Sequence, residues 1–211
     1  MSQKAGLDPD RMVEAALALV ESEGPDALTM RRLAADLGVA TTTIYWHVGG
    51  RDEVVAALIE RLSVRLGGRA PRGSDPIERI ESVAVLVWES AFAHRHVTAL
   101  AHQCGLTSLL ELPLELTLAR ELEAAGLRGT EARDALRSIL MCVAGFLVVA
   151  LRPPESVPAA QRSQALWADV VDADIDPTTV EALAGPVDVE ALFRRTLRVV
   201  IASFVPDAIP T

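Results

Sequence analysis

The chain has little cysteine: Cys104 and Cys142 are the only two in 211 residues, too few and too far apart for a disulfide framework. Aromatic residues make up 4% of it, and basic residues are outnumbered, 20 Lys and Arg against 29 Asp and Glu, a formal charge of −9. That balance excludes a protein that coats nucleic acid through a generally basic surface. The first residues lack the pattern of a secretory signal, so a cytoplasmic location is expected. The longest apolar run, Ser138 to Leu151, falls short of the roughly 20 residues that cross a bilayer, and it reads as a buried helix with no membrane partner. No G-x-S-x-G, Walker-type glycine loop, H-E-x-x-H or C-x-x-C occurs, which leaves an enzyme as the weak alternative and implies no cofactor. Nothing alternates with the period of a strand, and no solenoid-length repeat is present.

What is present is helical periodicity in a chain that is 50% hydrophobic, enough to bury a large core. The fold class is therefore all-α. Asp8 and Pro9 open a first helix with Met12, Val13, Ala16, Leu17 and Val20 on its buried face, and Gly24-Pro25 end it. A later helix runs from Arg51 to about Leu66, with Asp52 and Glu53 in the first turn, where the helix dipole favours acids. The stretch Gly67 to Asp75, GGRAPRGSD, has no apolar periodicity and marks a boundary between residues 1–66 and a larger helical unit, 75–211. In that unit Asp75, Pro76 and Glu78 form a capping-box start to a central helix ending near Ala93. Leu106 to Ala125, with Pro113 inside, makes another helix, and Thr130 is expected to cap a long one to Leu151. Residues 152–187 read as proline-rich loop with a short helix about 161–171, and Asp188 caps a last helix carrying Leu192, Phe193, Leu197, Val200, Ile201 and Phe204.

The most informative stretch is Leu28 to Arg51, LTMRRLAADLGVATTTIYWHVGGR. Thr29 can cap a short helix bearing Met30, Leu33, Ala34 and Leu37, and Gly38 ends it. A second short helix, Thr41 to His47, turns Ile44 and Val48 inward and leaves Tyr45 and His47 near its exposed side, with Trp46 expected in the core. Two short helices about a tight glycine turn make a helix-turn-helix, whose second helix enters the DNA major groove. Acids are an objection, since residues 1–66 hold seven Lys and Arg against ten Asp and Glu. A specific reader needs only a local positive face, and Lys4, Arg31, Arg32 and Arg51 can supply one.

The run L-T-x-R-x-L-A-x-x-L-G-V from Leu28 to Val39, I-Y-W-H-V from Ile44 to Val48 and R-D-E from Arg51 resemble the tetracycline-repressor (TetR) family of bacterial regulators. Ala40 sits where that family often has a serine cap, and Gly49-Gly50 replace polar residues, so the start of each following helix is expected to be less rigid. The resemblance implies that Arg31 reaches a base edge and that Tyr45, His47 and Arg51 touch phosphates. An Arg fork suits guanine O6/N7, with a phosphate contact as the alternative. Thr41, Thr42 and Thr43 can meet thymine methyls, bases or phosphates, or serve as caps; Tyr45 can instead pack on the first motif helix. With Thr29, these residues make the expected DNA face. The resemblance also implies a homodimer joined through a four-helix bundle, and the two long helices 130–151 and 188–204 are its candidates. Their apolar residues Leu136, Ile139, Leu140, Val143, Leu147, Phe193, Leu197, Val200 and Phe204 are the expected interface.

His94, His96 and His102 fall close together, with Cys104 following, so a metal site must be weighed. On one helix His94 and His96 point about 200° apart, which disfavours convergence, and no metal is assigned. Asp172, Asp174 and Asp176 copy part of a Ca²⁺ loop, but Pro177 and Leu183 stand where such a loop needs Gly and Glu. An organic effector suits the composition better: Trp88, Phe92, Leu109, Leu110, Cys142, Phe146 and Trp167 offer apolar walls, and His96, His102 and Gln103 polar anchors. The sequence reading is a repressor that binds a palindromic operator in double-stranded DNA as a homodimer and is released by a small hydrophobic or aromatic ligand. A metal-responsive regulator using the His94 to Cys104 cluster and an all-α enzyme or interaction module are the alternatives.

Overall fold

A computed structural model describes residues 8–151 and 164–205. Ten α-helices carry names here: α1 (Pro9–Glu23), α2 (Met30–Leu37), α3 (Thr41–His47), α4 (Arg51–Gly67), α5 (Pro76–Ala93), α6 (Arg95–Gln103), α7 (Thr107–Ala124), α8 (Gly129–Ala150), α9 (Pro177–Ala184) and α10 (Val189–Phe204). A 3₁₀ turn at Pro25–Ala27 and a helical turn at residues 164–168 complete the order, and there is no strand among the described residues. Short polar side chains start the helices where the sequence places them. Asp8, Thr29, Asp75 and Asp188 each accept a backbone N–H of the first turn. Asp176 does the same for α9, so part of the acidic loop is a helix cap.

Three local expectations need correction. Thr130 lies inside α8, which begins at Gly129 after Arg128, whose guanidinium holds the Leu127 and Glu123 carbonyls. Glu78 reaches past the cap residue, and its carboxylate accepts both the N–H and the hydroxyl of Ser74. Leu192 is exposed, because α10 turns only Phe193, Leu197 and Ile201 fully inward.

The helices α1 to α3 enclose a small core of Met12, Leu17, Val20, Leu33 and Ile44 that runs on into the larger one around α5. The first helix is fastened to α4 by charge: Glu14 pairs with Arg61 at 3.0 Å and with Arg65 at 2.5 Å, and Asp10 also pairs with Arg61. The Arg65 hydrogen bond, with the charge of both guanidiniums, holds the Glu14 carboxyl below its ordinary range. A carboxylate depressed in this way stabilises the fold above its unfolded pKa and loses that contribution as the pH falls through its folded one. In the centre, α5 packs Trp88 flat against Phe193 of α10, with ring centroids 4.5 Å apart.

The helix α4 leaves α1 and packs against α7, and a proline shapes that contact. Pro113 has no N–H for the carbonyl of Leu109, one turn back. The buried hydroxyl of Ser63 on α4 donates to that carbonyl at 2.8 Å and supplies the missing partner. Gly67, one turn further, leaves no room for a side chain: a Cβ there would lie 2.3 Å from that of Pro113. Replacing Ser63 by Ala leaves the Leu109 carbonyl buried and unpaired, an expected loss of about 1–3 kcal/mol by urea denaturation.

Candidate nucleic-acid interface and effector site

The turn between α2 and α3 depends on Gly38, which adopts the left-handed conformation (φ 68°, ψ 31°) while its N–H and that of Val39 close on the Ala35 and Ala34 carbonyls. Ala40 gives α3 no side-chain cap. Only Ile44 of α3 is fully buried, and Val48 is partly covered. Thr42, Tyr45 and His47 stand outward, and Thr41 and Thr43 are half-buried. Trp46 is the chief correction to the sequence reading: its side chain is 86% exposed and is no part of the core. Two helical positions separate it from Ile44, a rotation of about 200°, so the residue opposite the buried one faces solvent. Facing away from Tyr45 and His47 is therefore not the same as facing the core.

The arginines divide. Arg31 is exposed and has no ion pair or side-chain hydrogen bond among the described residues. Arg32 is spanned by Glu23 at 2.7 Å and Asp36 at 3.0 Å and is no free charge for phosphates. Arg51 anchors its Nε on the Leu28 carbonyl at 3.1 Å. Thr29 is occupied as the α2 cap. Lys4 lies outside the described residues. The start of α4 is firm despite the two glycines, since the Glu53 carboxylate accepts the Gly50 N–H at 2.8 Å.

The expected effector residues do not form one site. Trp88, Phe92 and Phe146 gather, with Phe193, as an aromatic cluster. Trp88 and Phe92 also border an open recess of about 420 Å³. His96 turns away to the backbone carbonyl of Glu21 in α1, 3.0 Å from its Nδ1, and His94 meets the Glu21 carboxylate at 2.5 Å. His102 and Gln103 are exposed at the end of α6, whose buried face is Val97, Leu100 and Ala101. Leu109 and Trp167 are half-buried, as is Cys142, whose thiol burial pushes up. Leu110 instead borders a separate cavity of about 40 Å³ against Leu62 and Leu66 of α4 and Leu147 of α8. Two polar groups border that cavity without a partner. The Ser90 hydroxyl is buried and makes no hydrogen bond, and Glu111 has none among the described residues. Burial, with a smaller push from Glu115, raises the Glu111 pKa. Among the described residues no three His, Cys, Asp or Glu side chains gather as metal ligands.

Residues 12–58 match the family described as bacterial regulatory proteins, tetR family. Over that N-terminal stretch the chain is similar to the tetR family. Over 59 residues it is 41% identical to the HTH-type transcriptional repressor DrrR1 of Streptomyces coeruleorubidus, a match that covers 28% of this chain and 22% of that one. The chain thus matches only about a quarter of the length of its curated relatives. Likeness of fold extends further. Apo ActR from Streptomyces coelicolor superposes with a TM-score of 0.75 over 95% of this chain and 96% of its own, at 23% identity. ActR in complex with actinorhodin gives 0.72 over 97% and 99%, at 21% identity.

The expected interface residues separate into two sets. Ile139, Val143, Phe193 and Leu197 are fully buried within one protomer, where α8 packs on α10, so they cannot also present a surface to a partner. Leu136, Leu140, Leu147, Val200 and Phe204 are half-buried at the margin. The outward apolar stripe lies one helical position round: Met141, Ala144, Gly145, Val148 and Val149 on α8, with Leu192, Val199 and Ala202 on α10. Amphipathic spacing identified the helices, and the choice between two apolar faces of the same helix needed the packed structure.

Proposed function

We propose that this chain is a transcriptional repressor that binds a palindromic operator as a homodimer and is released by a small molecule held in its helical C-terminal part. The observation that carries the reading is the outward row Thr42, Tyr45, Trp46 and His47 on the second helix of a tetR-family helix-turn-helix, with unpaired Arg31 on the first. In such a motif the second helix reads base edges and the flanking polar groups fix it on phosphates. Thr41, Thr43 and Arg51, beside that row, complete the proposed face. Residues 1–66 act as the reading unit and 75–211 as the effector and dimer unit. The apolar stripe of α8 and α10 is the surface for a second copy, a two-fold contact that makes the operator a palindrome. No described helix is long and apolar enough to cross a membrane, and the proposed place of action is the cytoplasm. His94 and His96 are both engaged with Glu21, and nothing favours the metal-responsive alternative.

Release requires that a ligand favour one spacing of the two reading heads over another. The physical link is α4, bound to α1 by Glu14, Arg61 and Arg65 and to α7 by Ser63 and Gly67. Selection of bound sequences from a random DNA pool tests the reading, with an inverted repeat as the expected product. A pool that yields no enriched motif overturns it. Trp46→Ala should leave the melting temperature unchanged, because the indole is exposed, and weaken operator binding by roughly tenfold through lost apolar contact with the groove. Unchanged affinity in a gel shift would remove Trp46 from the face.

A further inference from the structure

The 40 Å³ cavity beside α4 carries the most specific chemistry outside the reading head. Its walls are leucines, with Val87 and Ala91, and its polar groups are Ser90, His94, Thr98 and Glu111. Among the described residues no lysine or arginine borders it, and its one imidazole, His94, is engaged with the Glu21 carboxylate, so nothing in the cavity pairs with Glu111. A buried hydroxyl without a partner and a half-buried acid without a partner each cost stability in the empty protein. Both costs disappear if a donor from outside enters. An organic anion would meet the Glu111 carboxylate with no compensating charge, and a purely apolar molecule would leave both groups unpaired. A neutral donor would pair with both groups, and a protonated amine on an apolar body would do so with charge-assisted hydrogen bonds, which are the stronger.

We infer that this cavity is the headgroup site of the effector, and that the effector is a hydrophobic ammonium whose N–H groups reach the Glu111 carboxylate and the Ser90 hydroxyl. The inference rests on the reading of the chain as a ligand-released regulator. The present volume holds little more than such a headgroup, so an apolar body must part the surrounding leucines. Leu62 and Leu66 belong to α4, and His94 holds Glu21 of α1 at 2.5 Å. The same cavity therefore adjoins α4, the link to the reading head, and the His94 contact with α1, and its expansion displaces them together.

The test uses the full chain and three molecules with one apolar body: 4-phenylbutylamine, 4-phenylbutan-1-ol and 4-phenylbutyrate. By calorimetry the amine should bind about tenfold or more tightly than the alcohol, the ratio expected for one charge-assisted hydrogen bond, and the carboxylate should bind least. Glu111→Gln should bring the amine level with the alcohol while melting no lower than the parent protein at pH 7. Ser90→Ala should weaken the amine without lowering stability. Absence of amine binding at millimolar concentration, equal or tighter binding of the carboxylate, or an amine preference that survives Glu111→Gln each overturns the assignment. Operator release is measured separately in a gel shift. A protein that binds an inverted repeat but ignores the amine loses this site and keeps the regulator reading, whereas one that binds the amine and no operator keeps the ammonium site and loses both the regulator reading and the ligand's part as effector.

Discussion

Aspartate in place of Val148 is expected to give a folded monomer that no longer binds operator DNA. Val148 is 69% exposed in the protomer and Met141, two turns before it, is 77% exposed, so neither holds the subunit together. A stripe of this kind on two neighbouring helices is poorly accounted for by a monomer, and the proposed second copy would cover it. In the dimer the new carboxylate would be desolvated without a partner, and two-fold symmetry places it there twice. An unpaired charge at such a contact costs about 3–5 kcal/mol, enough to dominate a moderate interface. Gly145 offers a gentler second variant. A Cβ there meets nothing within 4 Å in the protomer, so Gly145→Leu should spare the fold and disturb only the approach of the partner helix. Sedimentation at micromolar concentration reads the outcome, and a monomeric wild-type protein would sink both the dimer and the palindrome. Val143→Asp makes the contrast, because Val143 is buried between α8 and α10 and its replacement should unfold the subunit itself.

Loss of the Arg31 guanidinium should lower operator affinity and broaden the sequences tolerated, with no change in folding. A bidentate contact to guanine contributes about 1–3 kcal/mol of discrimination, so Arg31→Ala should narrow the gap between operator and scrambled DNA by at least tenfold. Equal weakening on both would make Arg31 a phosphate contact. Arg32 is the control. It spends its charge on Glu23 and Asp36 at the surface, and exposed pairs of this kind contribute little to stability, so Arg32→Ala should be nearly silent in both assays.

Most of the fold was legible where chemistry is local. Asp8, Thr29, Asp75 and Asp188 announced helix starts through the hydrogen bonds their short side chains make, and Gly38 announced the turn through its conformation. The reading head was legible for the same reason, its residues being neighbours in the chain. The proposed effector site was not. Ser90, Glu111 and Leu62 come from three helices, and no pattern within any one of them shows that they border one cavity. The aromatic residues misled because Trp88 and Phe193 satisfy each other in the core. The histidines misled because His94 and His96 serve a contact with α1 that lies more than seventy residues away in sequence.

The bracing of Arg32 by Glu23 and Asp36 bears on how the proposed regulator would share a cell with a large excess of unrelated DNA. Each phosphate neutralised by a protein releases condensed counterions and adds about 0.9 to the slope of affinity against salt on logarithmic axes. With one of its few cations already neutralised and acids in the majority, the head displaces few counterions. The grip of the proposed regulator on arbitrary chromosome would be correspondingly weak, and little of it would be sequestered there. A small number of copies would then suffice to keep one operator occupied, and that occupancy would change little as ionic strength rises.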